Sequence, residues 1–190
     1  FGSDIYIHLH DNGHVGLYTV DKFVEMVEEA KWHHRAAVSH AFCLGEVPLP
    51  QQEEIADKLS KVGMSIMSTI PINRTLPPID LLEQKGVNVY LGCDGFYDSW
   101  GPFGTGDVLE KVTRYGELFR KSDERSLAQS LKWATGGPTS LNKDGEVAWP
   151  LKGDEASLIL VNASCSAEAV ARTPKREAVM FKGKVVSGKL

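Results

Sequence analysis

Three short apolar segments of this chain end on an ionisable side chain, and this pattern constrains the fold more than any other feature. The segments close at His8, at His40 and, for the run 87–94, at Asp94. A buried strand is an unfavourable place for an unpaired charge, so Asp94 requires a compensating partner. The carboxyl ends of parallel strands meet on one side of a sheet or barrel. We therefore predict an α/β fold in which these three side chains converge at that side.

Composition and charge narrow the class of protein. The chain has 190 residues, of which 42% are hydrophobic and 24% charged, which is sufficient for one substantial core. The net charge of -4 and the lack of a dense Lys/Arg block argue against a nucleic-acid-binding surface. No apolar run approaches the length of a membrane span, and residues 1–4 do not resemble a signal peptide. We expect a soluble, cytoplasmic protein with neither nucleic acid nor membrane as a partner.

The histidine distribution suggests a metal site near the first strand. All 6 histidines lie within the first forty residues, and three of them fall in the segment 8–14, HLHDNGH. Alternate residues of a strand point the same way, so His8 and His10 can share a face. An H-x-H pair suits a metal site, although His10 can equally be a polar loop residue. The 3 cysteines form no CxxC pair, which excludes a thiolate zinc knuckle.

Hydrophobic periodicity predicts four strand-helix units followed by a different tail. The predicted strands of the four units cover 5–9, 36–39, 64–70 and 87–94. The first predicted helix has Thr19 as its N-cap. The other predicted helices cover 51–62, 79–85, 107–119 and 122–134. The tail is predicted to hold a strand over 157–161, a helix over 167–172 and a hairpin over 178–187. Glycine-rich segments near 136–145 mark a boundary, which gives a first domain over 1–135 and a C-terminal β element over 136–190.

The loop after the fourth strand is rich in glycine and aromatic residues. It covers 95–106 and includes Asp98 and Trp100. Aromatic side chains in such loops commonly serve a binding site. This loop is the candidate substrate-contact region.

The order of several short motifs resembles the amidohydrolase superfamily. The motifs are HLHD at 8–11, SHA at 39–41, Asn73 near Pro71, LGCD at 91–94, DSW at 98–100 and GTGD at 104–107. Within the superfamily, the chain is most similar to the barrel-type bacterial cytosine deaminases and to relatives such as the N-isopropylammelide hydrolases. The resemblance extends over nearly the whole chain, including the tail.

The resemblance implies a distorted (β/α)8 TIM barrel whose metal is held by an H-x-H at the first strand, a histidine at the fifth and an aspartate at the eighth. His8 matches the fifth-strand ligand, His40 the sixth-strand histidine and Asp94 the eighth-strand aspartate. This chain then corresponds to strands five to eight plus the tail, a partial barrel of about four βα units. Alternatively, His8 and His10 are the first-strand pair itself, although His40 and Asp94 would then follow too early.

The function implied by the resemblance is metal-dependent hydrolysis of C–N bonds, such as deamination of a cytosine-like or other nitrogen heterocycle. One divalent ion, zinc or iron, would be held by His8, His40 and Asp94. Asp94 and His40 would also act on the attacking water, and Asp11 would protonate the ring in place of the glutamate usual in the deaminases. Asp98 and Trp100 would contact the substrate.

Two alternatives remain at this stage. The same ligands suit a hydrolase of cyclic amides or N-alkylamines, and the chain can also be a catalytically silent or truncated half-barrel. A half-barrel would expose its outer strands and part of its interior, which favours association. We therefore expect either a missing N-terminal half or a second copy as the partner.

Overall fold

The structure is a computed structural model that describes residues 2–95, 97–99 and 101–189. The chain forms two compact units, one up to Asp94 and the other from Gly95 onward. The domains predicted over 1–135 and 136–190 stay a prediction. None of the helices in the described ranges is long and apolar enough to cross a membrane.

The first unit contains a four-stranded parallel sheet with the strands in sequence order. Its strands are β1 (Ile5–Leu9), β2 (Ala36–His40), β3 (Ser65–Ser68) and β4 (Val89–Leu91). Its helices are α1 (Gly13–Glu29), α2 (Leu49–Val62) and α3 (Ile79–Gln84), with a 3-10 turn over Phe42–Gly45. Because crossovers between parallel strands are right-handed, an unreversed strand order puts all connecting helices on one face. This order is typical of barrels rather than of doubly wound sheets, and the predicted parallel α/β class is confirmed.

The two faces of this sheet differ in burial. Val38 and Ile66, which are register partners, are completely buried on the face that the helices cover. On the other face, His8 pairs with Ser39 and Ser39 with Met67, and Tyr6 on that face is 47% exposed. Parallel sheets are normally covered on both faces. In the first unit, this face is therefore open at β1, where it carries Tyr6 and His8, whereas Ser39 of β2 on the same face is buried.

The first helix begins earlier than the sequence indicates. The prediction placed its cap at Thr19, whereas α1 begins at Gly13. The Gly13 N–H donates to the Glu46 carboxylate at 2.7 Å, so a residue from the 3-10 turn region satisfies the first turn of the helix. Thr19 lies within the helix, where its hydroxyl donates to the Val15 carbonyl.

The fourth strand is shorter than predicted. It ends at Leu91, so Asp94 lies three residues beyond it with a side chain that is 56% exposed. The interpretation of Asp94 as a carboxylate at the end of a buried strand is therefore wrong. Helix α2 ends as predicted, because Gly63 adopts a left-handed conformation with φ of 65°.

The second unit combines helices with a small antiparallel sheet. Its helices are α4 (Val108–Leu118), α5 (Glu124–Ser130), α6 (Lys132–Thr135) and α7 (Ser166–Arg172). The strands β5 (Leu158–Val161), β6 (Arg176–Phe181) and β7 (Lys184–Gly188) form a sheet in that order. Asp107 caps α4 by accepting from the Leu109 N–H, and it also accepts from Arg176 at 2.6 Å. The predicted C-terminal β element is present, whereas the helix predicted over 122–134 is two short helices.

Candidate functional site

The structure brings His8 and His40 together at the carboxyl edge of the parallel sheet. His8 lies at the end of β1 and His40 ends β2, where it is the register partner of Leu9. The His8 Nδ1 and the His40 Nε2 are 3.2 Å apart. His8 is exposed on the open face, whereas His40 is only 2% exposed. The expected convergence of these two side chains is confirmed.

A strained turn directs the His40 side chain to this position. Strand alternation would place His40 on the helix-covered face with Val38. Instead, His40 and Ala41 have φ of 67° and 45°, and the Ala41 N–H donates to the Ser39 carbonyl at 2.9 Å, closing a three-residue turn. Positive φ is costly for residues other than glycine, and such conformations concentrate at functional sites.

His10 completes a cluster of three imidazoles. Its ring centroid lies 4.1 Å from that of His40, with 37° between the planes. One ring nitrogen each from His8, His10 and His40 lies within 4.8 Å of the others. Three imidazole nitrogens at this spacing are suitable ligands for a transition metal. The sequence allowed His10 to be either a metal-site residue or a polar loop residue. The structure places it in the cluster.

Asp94 lies beside the cluster, on the wall of a cavity. Its Oδ2 is 3.9 Å from the His40 Nε2. The cavity has a volume of about 260 Å³, and its lining residues are Tyr6, His8, Ser39, His40, Met67, Thr69, Gly92, Cys93 and Asp94. His10 is not part of this lining. The three residues predicted as metal ligands therefore share one cavity wall.

The electrostatics of the cluster favour neutral histidine at His40. Burial lowers the pKa of the His40 imidazole below its usual value, and the neighbouring His10 lowers it further. Asp94 opposes this shift in the pKa, while His8 and Arg74 add to it. A neutral imidazole is the form that binds metal ions. The buried His40 Nδ1 has no hydrogen-bond partner among the described residues. The imidazole is held by packing between neighbouring rings and by the approach of its Nε2 to the His8 Nδ1.

The donor atoms at this edge fit a divalent ion. Two nitrogens that bind one zinc ion tetrahedrally, each at about 2.0–2.1 Å, lie about 3.3 Å apart. The separation of 3.2 Å between the His8 and His40 nitrogens matches this value. Imidazole and carboxylate ligands together suit zinc and iron. Residues at the carboxyl edge can therefore hold the metal that the resemblance implies.

The remaining predicted site residues are Asp11, Asp98 and Trp100. Asp11 is exposed in the loop between β1 and α1, and its carboxylate is not part of the histidine cluster. Asp98 lies in the second unit, where its Oδ1 accepts from the Gly101 N–H at 3.1 Å. Trp100 lies outside the described residues. The proposed roles of these three residues stay predictions.

Phe42 contacts the cluster and Arg74 contacts Phe42, and neither residue was identified from the sequence. Phe42 is 3% exposed, and its ring centroid lies 5.5 Å from that of His40 and 5.8 Å from that of His10. The Arg74 guanidinium lies over the same Phe42 ring, 5.2 Å from its centroid. Both residues belong to loops that follow strands β2 and β3. Their place in βα loops was the signal that could have identified them.

The fold and the histidine cluster define an α/β protein with a potential metal centre at the carboxyl edge of a parallel sheet. The sequence model of the Amidohydrolase family matches residues 1–187. The chain therefore belongs to the amidohydrolase family.

Several known proteins are similar to this chain. It is 40% identical to the Escherichia coli (strain K12) protein named "Uncharacterized protein YahJ", over 99% of this chain and 41% of that protein. It is 28% identical to the N-isopropylammelide isopropyl amidohydrolase of Pseudomonas sp. (strain ADP), over 98% of this chain and 46% of that enzyme. The chain thus spans less than half the length of these curated relatives.

Solved structures show the same architecture. The N-isopropylammelide isopropylaminohydrolase of Burkholderia multivorans superposes with a TM-score of 0.83 at 26% identity, over 97% of this chain and 47% of that one. The 5-methylcytosine deaminase of Klebsiella pneumoniae superposes with a TM-score of 0.69 at 16% identity, over 100% and 57% of the two chains. The latter likeness concerns the fold alone.

Proposed function

We propose that the protein hydrolyses a C–N bond of a nitrogen heterocycle, such as a cytosine-like ring, with water activated by one divalent ion. The observation that carries this proposal is the 3.2 Å approach of the His8 and His40 nitrogens at the carboxyl edge of the parallel sheet. Membership of the amidohydrolase family supports it. Active sites in βα barrels are built on that edge.

We propose His8, His40 and Asp94 as the ligands of this ion, which is zinc or iron. These three residues line the same cavity, and the Asp94 carboxylate approaches His40 from the cavity side. His10 does not line the cavity, and its ring packs against the His40 ring with 4.1 Å between the centroids. We therefore assign His10 to positioning His40.

In the proposed reaction, a divalent ion held there would supply hydroxide near neutral pH. Asp94, which is exposed to the cavity, accepts the proton released when water attacks the ring carbon. The neutral His40 imidazole would hold the ion through its Nε2 and so fix the position of the attacking oxygen. Asp11 protonates a ring nitrogen, which makes the attacked carbon more electrophilic. Asp94 then passes the accepted proton to the amine nitrogen, the C–N bond breaks, and the product returns a proton to Asp11.

A second activity, removal of an N-alkylamine, is favoured by one relative. The Pseudomonas protein that is 28% identical bears the name of an isopropyl amidohydrolase. Both activities use the same residues and differ in the leaving group, which is ammonia in one and an alkylamine in the other. A catalytically silent half-barrel is the alternative if neither leaving group is released.

The open face of the first unit indicates which kind of partner this chain requires. Tyr6 and His8 are exposed on a parallel sheet whose opposite face buries Val38 and Ile66. We propose that further strands cover this face in the active form, either from a longer chain or from a second copy. A completed barrel would exclude bulk water from the cavity beside His40.

The decisive experiment is the metal content of the purified protein, measured beside its activity on pyrimidine and triazine rings. We expect about one zinc or iron ion per chain, and release of ammonia or alkylamine only from the metal-loaded protein. A metal-loaded protein that releases neither amine contradicts the proposed hydrolysis. A protein that takes up no metal at millimolar concentration contradicts the proposed ligand set.

Replacement of Asp11 by Asn is expected to slow the chemical step without loss of metal. The Asp11 carboxylate is exposed and outside the histidine cluster, so its charge is not needed to hold the ion. Loss of a general acid typically lowers kcat by about 10²- to 10⁴-fold. Steady-state kinetics and metal analysis on the same sample test this. An unchanged kcat would remove Asp11 from the mechanism.

A further inference from the structure

Tyr6 is an aromatic neighbour of His8 on the open part of the sheet. The two residues are two positions apart on β1, so their side chains leave the same face. Their ring centroids lie 5.0 Å apart with 80° between the planes, which is an edge-to-face contact. His40 lies nearer the carboxyl edge, because it is the register partner of Leu9. Tyr6 therefore contacts the His8 imidazole from the amino-terminal side.

The far end of the Tyr6 side chain is anchored on another strand. Its hydroxyl donates to the Met67 Sδ of β3 at 3.6 Å. Strand β2 lies between β1 and β3, so the two side chains together bridge two strand spacings, about 10 Å. The register partners on β2 are Ala37 for Tyr6 and Ser39 for Met67, and both are small enough for the tyrosine to cross above them. Although Tyr6 is half-exposed, its side chain is held at both ends.

This tyrosine and this methionine belong to the cavity beside the histidine cluster. Tyr6, His8, His40 and Met67 all line it. Within the described part of the chain, the ring contacts of His8 are those with Tyr6 and His40. An imidazole can turn about its Cβ–Cγ bond, and half a turn exchanges the positions of Nδ1 and a ring carbon. The edge-to-face contact with Tyr6 restricts this rotation of the His8 ring.

We propose that Tyr6 is a positioning residue that orients the His8 imidazole, with its Nδ1 facing the His40 Nε2 where the ion binds. This inference rests on the proposed function, because it concerns the proposed ligand His8. Groups that orient a metal ligand from outside commonly change metal affinity by about 10- to 100-fold. Here the tyrosine ring, tethered to Met67, takes the part that a hydrogen-bonding group usually plays. Without this ring, the exposed His8 would lose its rotational freedom only on binding the ion, and that loss of entropy weakens binding.

The test measures metal affinity and the geometry of the bound ion, so that it does not depend on turnover. The full chain is titrated with zinc against a colorimetric chelator, and the visible absorption spectrum of the cobalt-loaded protein is recorded. We expect Tyr6→Leu to weaken zinc binding about 10-fold and to change the cobalt spectrum, because His8 is no longer oriented. Tyr6→Phe keeps the ring and loses only the hydrogen bond to Met67, so it should stay within about threefold in affinity and keep the spectrum.

Tyr18→Leu is the matched control, since Tyr18 is an exposed tyrosine of α1 that does not line this cavity. It is expected to leave zinc affinity and the cobalt spectrum unchanged. The role of Tyr6 is overturned if Tyr6→Leu lowers only the Tm and leaves both readouts unchanged, or if Tyr18→Leu weakens zinc binding equally. An unaltered protein that binds no zinc or cobalt contradicts the proposed ligand set and, with it, the role of Tyr6. Tyr6-dependent zinc binding by a protein that releases no amine would instead contradict the hydrolase function and leave the positioning role standing.

Discussion

Asp94→Asn is expected to lower the affinity of the chain for zinc or iron by more than about 100-fold and to abolish hydrolysis. The substitution keeps the size of the side chain and removes the negative charge that lies 3.9 Å from the His40 Nε2. Because the Asp94 side chain is 56% exposed, its replacement should change the free energy of unfolding little. Metal titration with a colorimetric chelator as competitor, together with amine release, measures both effects.

The same titration on His10→Asn separates two possible ligand sets. Three imidazoles, those of His8, His10 and His40, have ligand atoms within 4.8 Å of one another. The set proposed above instead contains Asp94, and His10→Asn should then lower metal affinity much less than Asp94→Asn. The reverse order would assign the ion to the three histidines. Asp57→Asn, an exposed carboxylate that pairs with Lys85 on the surface, is the control and should leave metal binding unchanged.

Local sequence patterns predicted the elements whose ends are set by neighbouring residues. Strand β1 covers Ile5–Leu9 as predicted, and α2 ends at Gly63, where a glycine accepts the left-handed conformation. The start of α1 could not be predicted in this way. It depends on the Glu46 carboxylate, which accepts from the Gly13 N–H across 33 residues of sequence, and the Asp-Asn-Gly segment before it resembled a turn.

The site was predicted only as far as strand geometry determines it. His8 and His40 converge because both lie at carboxyl ends of adjacent parallel strands. The approach of His40 to His10 and Phe42 depends on positive φ at His40 and Ala41, which no propensity of histidine or alanine indicates. The Asp94 prediction assumed a longer β4, whereas the strand ends at Leu91 and leaves the carboxylate exposed.

Gly16→Ala is expected to destabilise the first unit and distort the loop that carries Asp11. A Cβ at Gly16 would lie 2.3 Å from the Asp11 carbonyl oxygen and 2.6 Å from the Cys43 Cβ, so α1 could not pack as it does. Overpacking of this kind costs about 1–3 kcal/mol. For a chain of this length, that free energy corresponds to a fall in Tm of about 3–10 °C, measurable by calorimetry.

Gly116→Ala in α4 is the matched control, because both glycines are buried in helices and differ in the space around them. The nearest atom to a Cβ at Gly116 is the Leu127 Cδ2 at 3.4 Å, an ordinary packing distance. Alanine in a helix is favoured over glycine by about 0.5–1 kcal/mol, so this variant should be as stable as the parent or more so. A loss of stability of similar size in both variants would mean that general helix packing, rather than the close approach of α1 to Asp11 and Cys43, determines the effect. If only Gly16→Ala is destabilised, and its hydrolysis rate falls more than its bound metal does, then the packing of α1 positions Asp11 for the chemical step.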